Sequence, residues 1–253
     1  MNLAHVERRG NLFPIEAQRR LKVFRRPLLQ ALGAVLLSTT IAASWGVSRP
    51  PHQSTGNSEA ADIGLPAIVM AHGVDASPET GLPGKLKQLF QEQRYEVYAP
   101  QLPLGKDQRI DPWTETVLES AEEAGKKGKA FGVGFSGGTQ PILQVVYSRR
   151  GAFCGILLVS TSKQGNIKPL YRGYNDPARI MVNVGGNAGI VHAKNDPILP
   201  FSGAEALSRE TGIPILEQDQ DGGHFINLPA DKLAQKALKM FNHAQALIAK
   251  CQN

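Results

Sequence analysis

Residues 129–147 read KAFGVGFSGGTQPILQVVY, and the way this stretch divides decides the fold. Lys129 to Phe135 has the apolar pattern of a strand, while Ile142, Val145 and Val146 mark one side of a helix running from Gln140 to Tyr147. Between them lies Gly134-Phe135-Ser136-Gly137-Gly138, a G-x-S-x-G motif. A strand that turns at once into a helix forces its central residue into strained backbone angles. Side chains on the neighbouring residues would collide with the two elements, hence the glycines. The turn exposes the Ser136 hydroxyl and aims the helix N-terminus at it, where a negatively charged oxygen is favoured.

The same letters spell Gly132-Val133-Gly134-Phe135-Ser136-Gly137, a G-x-G-x-x-G pattern of the kind that binds dinucleotides. That reading requires an acidic residue about 20 positions further on, at the end of the next strand. No Asp or Glu occurs between Glu123 and Asp176. The motif also follows two earlier strand–helix units instead of opening the domain. Ser136 is therefore read as a nucleophile, and no cofactor is expected.

Working outward, strand-like and helix-like patterns alternate. Pro66 to Ala71 is a short apolar run ending in His72-Gly73, and Leu82, Leu86, Leu89 and Phe90 fall at helical spacing in a helix ending near Arg94. Tyr95 to Ala99 reads as a strand; Trp113, Val117, Leu118 and Ala121 mark a helix closed by Gly125 and Gly128. Gly155 to Ser160, the region Ile180 to Ala193 and Ile213 to Glu217 supply later strands. A last apolar stripe, Leu233, Ala237, Met240, Phe241, Ala244, Leu247 and Ile248, predicts a final helix. Such alternation needs crossover connections and predicts an α/β fold with a mostly parallel central sheet flanked by helices. Ligands then bind beyond the carboxyl ends of the strands, where loops starting at His72, Phe135, Ser160, Ala193 and Gln218 should open on one edge.

A serine hydroxyl needs a general base, and the base needs an orienting carboxylate. Gly222-Gly223-His224-Phe225 follows a short strand and precedes the last helix, which places His224 on that edge. His5 and His52 lie before the domain, His243 reads as a surface residue of the last helix, and His192 as a packed strand histidine. For the acid, Asp196 lies in the turn Asn195-Asp196-Pro197 just after an apolar strand. It could instead simply make that turn or cap the helix starting near Gly203, and Asp219 and Asp221 are the alternatives. Ser136, Asp196 and His224 nevertheless stand in the order Ser…Asp…His expected for this arrangement. Two oxyanion donors are expected, the N–H of Gly137 and the N–H of Val74 in the loop after the first strand. His72 should support that loop, and His72 and Phe135 should also line the substrate site. His72 with Asp75 does not have metal-site spacing, and no metal is expected.

The chain has 253 residues, 42% of them hydrophobic, enough for one sizeable core. Its net charge of +6 owes most to Arg8, Arg9, Arg19, Arg20, Lys22, Arg25 and Arg26. No zinc-finger spacing, RNP-like aromatic pattern or basic recognition helix accompanies the charge, so nucleic acid is not an expected partner. Those basic residues precede an uncharged apolar run, 28–47, long enough to span a hydrocarbon core as a helix. It reads either as a cleaved export signal, with a small-residue site at Ala42-Ala43-Ser44, or as a retained anchor that would tie the protein to a membrane. Residues 48–62 read as a polar, Pro-rich linker. The expected organisation is a basic cytoplasmic segment 1–27, an apolar signal or anchor helix 28–47, a linker 48–62 and a domain 63–253 outside the cytoplasm. Cys154 reads as a small buried hydrophobe and Cys251 as part of a polar tail; whether they pair is left open.

From about Pro66 to the end, the chain resembles the α/β-hydrolase superfamily. The resemblance rests on Ala71-His72-Gly73, Gly134-Phe135-Ser136-Gly137-Gly138, Asn195-Asp196-Pro197 and Gly223-His224-Phe225. Within that superfamily, residues 72–78 (HGVDASP) followed by 95–103 (YEVYAPQLP) are similar to small serine hydrolases of the retinoblastoma-binding-protein-9 type. Gly81-Leu82-Pro83-Gly84 departs from the tryptophan-rich segment of that type, and Phe135 from its histidine before the nucleophile. The resemblance implies a serine hydrolase acting on a small acyl-containing substrate, an ester by preference. Peptidase, thioesterase and acyltransferase chemistry would use the same three residues, and a catalytically silent binding protein would share the fold. The segment from Thr161 to Pro177 is the candidate cap, too short for a deep lid.

Overall fold

The structure is a computed structural model that describes residues 64–163 and 173–252. The expected segments 1–27, 28–47 and 48–62, and most of the candidate cap (164–172), lie outside the described residues. Among the described residues no helix is long and apolar enough to cross a membrane.

Six strands are separated by helices: β1 (Ala67–Ala71), α1 (Gly81–Glu92), β2 (Val97–Tyr98), α2 (Ile110–Gly125), β3 (Ala130–Phe135), α3 (Thr139–Ser148), β4 (Gly155–Val159), α4 (Arg179–Asn183), β5 (Ala188–Ala193), α5 (Phe201–Thr211), β6 (Ile215–Asp219) and α6 (Ala230–Cys251). The sheet order is β2-β1-β3-β4-β5-β6, and every pairing is parallel. All carboxyl ends therefore meet at one edge.

Strand alternation divides the core in two. Ala67, Val69 and Ala71 of β1 and Ile156 and Leu158 of β4 face one side, with Trp113 and Val117 of α2, Ile142 of α3, Ile180 of α4 and Leu207 of α5. Ile68 and Met70, with Leu157 and Val159, face the other side and meet Leu86 and Phe90 of α1 and the stripe of α6. Each fully buried large side chain contributes about 1.5–3 kcal/mol of transfer free energy. A sheet covered on both faces in this way leaves its carboxyl edge as the place for loops with other duties.

Two elements differ from the sequence reading. Residues 179–183, expected within a strand region, form a helix: Ile180 and Val184, one turn apart, are buried while Val182 is 61% exposed. Tyr95 to Ala99 pairs only at Val97 and Tyr98, an edge strand. The polar-tail reading of Cys251 also fails. α6 continues through Cys251, one turn beyond Leu247, and buries it at 3% exposure in a disulfide with Cys154. The bridge ties the end of α6 to the start of β4, with Cα atoms 5.4 Å apart across 97 residues of sequence.

Candidate active site

β3 delivers Ser136 at the carboxyl edge. Its φ is +52°, a left-handed value that a side-chain-bearing residue adopts only under constraint. The constraint is visible in the glycines beside it. A Cβ on Gly134 would lie 2.7 Å from the Thr139 Cα, and one on Gly138 would lie 2.2 Å from the Ala71 carbonyl oxygen. The turn is therefore packed against both α3 and β1. Thr139 Oγ1 donates to the Ser136 carbonyl at 2.7 Å and accepts from Thr161 Oγ1 at 2.9 Å, which fixes the turn from below.

The loop after β6 brings His224 over the serine. Ser136 Oγ donates to His224 Nε2 at 2.7 Å, and His224 Nδ1 donates to Asp196 Oδ2 at 2.7 Å. All three residues are buried, at 6–7% exposure. Asp196 does not cap α5, whose first residue follows Pro200 without a side-chain cap. Its Oδ1 closes the turn instead, accepting the N–H of Ile198 at 2.9 Å and of Leu199 at 2.8 Å. Turn-maker and histidine partner are thus one carboxylate using its two oxygens separately. Burial pushes its pKa up, but the His224 hydrogen bond and the Leu199 and Ile198 N–H groups outweigh that and hold it below the usual carboxylate value. The alternatives Asp219 and Asp221 are engaged elsewhere, both ion-paired with Lys236. The His224 and Asp196 loops are also tied directly, because Gly223 N–H donates to Asn195 Oδ1 at 2.8 Å.

The expected oxyanion loop lies beside the serine: a Cβ on Gly73 would be 3.0 Å from Ser136 Cβ. The Val74 N–H has no acceptor among the described residues. Gly137, next to Ser136, begins the turn into α3. His72 braces this loop from beneath. Its Nδ1 donates to the Gly73 carbonyl at 2.8 Å, and its Nε2 accepts the Leu102 N–H at 2.9 Å. An Nε2 that accepts an N–H carries no proton, so the ring is neutral in this arrangement. Burial favours that form by holding its pKa below the usual imidazole value, against the raising effect of the Gly73 carbonyl. At 1% exposure, with both nitrogens occupied, it has the loop-supporting position expected of it. Both ring nitrogens are engaged within the protein, so neither is free for a polar contact in the substrate site that His72 is also expected to line. Phe135, 5% exposed, lies with its ring 5.6 Å from the His224 ring. Among the described residues no group of three or more His, Cys, Asp or Glu side chains is placed to hold a metal.

One feature escaped the sequence reading. The packed strand histidine His192 touches the acid loop, 3.7 Å from Asp196 Oδ2, a relation that a spacing of four along the chain does not reveal in a strand and turn.

The fold is that of the α/β-hydrolase superfamily. Similar solved structures include the ydeN gene product of B. subtilis, 22% identical over 70% of this chain and 98% of that one, with a TM-score of 0.57. Mouse alpha/beta hydrolase domain-containing protein 10 is 12% identical over 73% and 91% of the two chains, with a TM-score of 0.55. A lipase-esterase related protein from Clostridium acetobutylicum is 13% identical over 70% and 93%, with a TM-score of 0.52. No family model and no curated protein sequence matches the chain.

Proposed function

We propose that the protein is a serine hydrolase that cleaves an ester or related acyl bond of a small substrate. The observation that carries this reading is the unbroken relay from Ser136 Oγ through His224 to Asp196, both links 2.7 Å, on a strained turn at the ligand-binding edge of the sheet. In the proposed reaction, Ser136 Oγ attacks the acyl carbon while His224 Nε2 takes its proton. Asp196 holds the Nδ1–H tautomer and stabilises the imidazolium. The Val74 and Gly137 N–H groups receive the oxyanion. His224 then returns the proton to the leaving alkoxide, and water, deprotonated by His224, releases the acid from the acyl-enzyme. Phe135 would wall the histidine side of the site. The names of the similar structures, lipase-esterase related among them, agree with an ester as the substrate class.

We place this activity outside the cytoplasm, with the N-terminal segment as export signal or membrane anchor. The run 28–47 behind its basic flank supports this, as does the disulfide joining both cysteines of the chain, a bond that persists in oxidising compartments. The test is labelling by a fluorophosphonate probe together with hydrolysis of p-nitrophenyl esters of increasing chain length. Wild type should label and turn over, and Ser136→Ala should do neither. Undiminished labelling of Ser136→Ala would sink the assignment, and absence of both activities in wild type would favour the silent-fold reading.

A further inference from the structure

The reaction proposed above has no use for His192, although the ring is fully buried beside its acid. On β5 the alternation puts Ala188, Ile190 and His192 on one face, where Ala188 and Ile190 join the apolar core. An imidazole there loses its hydration and needs a compensating partner. It has one: Nε2 lies 2.8 Å from the Leu199 carbonyl oxygen. A carbonyl can only accept, so Nε2 carries the proton. Burial holds the pKa below the usual imidazole value, against the Leu199 carbonyl and the Asp196 charge that favour the protonated form. His192 is therefore a fixed donor whose charged form burial disfavours. Asp196 and His224 are the charged and titratable groups it senses.

Leu199 is the informative partner. Its N–H donates to Asp196 Oδ1 and its C=O accepts from His192, so the residue is gripped from both sides. Pro197 and Pro200 stiffen the surrounding loop without adding donors. The His192 ring edge also lies 3.7 Å from Oδ2, the oxygen that receives His224 Nδ1–H. We infer that His192 is a positioning residue: by holding the Leu199 carbonyl, it fixes the turn that aims Asp196 at His224. The inference rests on Ser136, His224 and Asp196 acting as a unit, and it extends that unit by a fourth side chain that touches no substrate.

The test compares full-length wild type with His192→Leu, His192→Asn and His192→Gln. Leucine removes the donor; asparagine keeps an amide too short to reach; glutamine reaches the carbonyl with an N–H. Leucine and asparagine should lower kcat on the order of tenfold to a hundredfold with KM little changed. They should also shift the acid limb of the pH profile downward, because a loosened carboxylate stabilises the His224 imidazolium less. Glutamine should recover most of the loss. Ile190→Val, a core trimming on the same face, should lower stability and leave the pH profile in place. Independently of turnover, the low-field proton signal of His224 Nδ1–H should broaden or move upfield in the leucine and asparagine variants alone. A folded leucine or asparagine variant with unchanged signal and unchanged acid limb overturns the inference, and asparagine serves where leucine does not fold. If wild type neither labels nor turns over, the hydrolase reading falls, and the proton signal still decides the role of His192.

Discussion

The two edges of the sheet fill the left-handed region of backbone space differently. At the carboxyl edge five side-chain-bearing residues occupy it beside Gly81, Gly105 and Gly223: Asp75, Ser136, Ser160, Phe225 and Asn227 all have φ between +48° and +57°. At the amino edge, glycines do so, namely Gly128, Gly151, Gly185, Gly186 and Gly212, with Arg94 the exception among the described residues. Glycine enters this region without a Cβ clash, so the amino-edge turns are unstrained connections from helix to strand. The side-chain-bearing residues at the carboxyl edge are held there against their preference. Strain of that kind persists where the surroundings over-determine it and where it positions chemistry. The comparison thus separates an edge built for connection from an edge built for presentation.

If that division holds, damage at the carboxyl edge should fall on turnover. Ser136→Ala is expected to remove four to six orders of magnitude from kcat, roughly the loss seen when a triad nucleophile is deleted. Asp196→Asn should lose on the order of 10⁴-fold, because the amide no longer fixes the productive imidazole tautomer. Steady-state kinetics on the best p-nitrophenyl ester measures both. An Asp196→Asn enzyme at wild-type rate, with Asp219→Asn inactive, would move the acid to the Lys236 cluster.

Damage at the amino edge should fall on stability instead. Cys154→Ala with Cys251→Ala removes a cross-link closing 97 residues of chain, which should lower unfolding free energy by about 3–5 kcal/mol. Denaturant titration reads that loss, and kcat of the folded variant should be unchanged. A large fall in kcat without loss of stability would mean the two edges are coupled through α6.

How much of this division was legible in the sequence depends on how local each signal is. The Ser136 turn could be read because its glycines, strand and helix are contiguous, and the order of Ser136, Asp196 and His224 could be read because each follows a strand pattern. The pairing of Cys154 with Cys251 could not, since it depends on α6 folding back along the whole sheet. Five residues of α4 are too few for helical periodicity to stand out from a run of Ile-Met-Val. Chain order could not choose Asp196 over Asp219, since both lie between Ser136 and His224, and only the Asn-Asp-Pro turn after a strand favoured Asp196. What decides it physically is the Asp196–His224 bond, with Lys236 engaging Asp219 from a different element. The bracing by His192 depends on a carbonyl seven residues away and leaves no pattern at all.

Acid should weaken the carboxyl edge first. Burial depresses both His72 and His192, so the folded protein binds protons there less readily than the unfolded chain, whose histidines titrate near 6.5. Stability is full above that pH and is lost as pH falls toward the folded-state values. Asp196, also depressed, adds a separate loss only as pH falls below its ordinary 3.8. Urea unfolding from pH 8 to pH 5 should show the histidine loss, with a shallower slope in His192→Gln. A flat profile over that range would mean that the two rings are not buried in neutral form.

The smallest effects give the sharpest view of the contrast, because one pair of substitutions should change stability in opposite directions. Ser136→Gly relieves the left-handed strain at the nucleophile and should raise unfolding free energy by up to about 1 kcal/mol, while abolishing turnover. The gain is partly offset by the greater backbone entropy of glycine in the unfolded chain and by loss of the hydroxyl's bond to His224. Gly212→Ala imposes at the end of α5 the strain that Ser136 carries, since φ there is +77°. Its new methyl would meet only Met181 Cγ, at 3.7 Å, so the cost of about 1 kcal/mol is conformational rather than steric contact. Measured side by side by denaturant titration, the two should move oppositely. If Ser136→Gly destabilises by as much as Gly212→Ala, the nucleophile turn stores no strain, and its φ reflects hydrogen bonding alone.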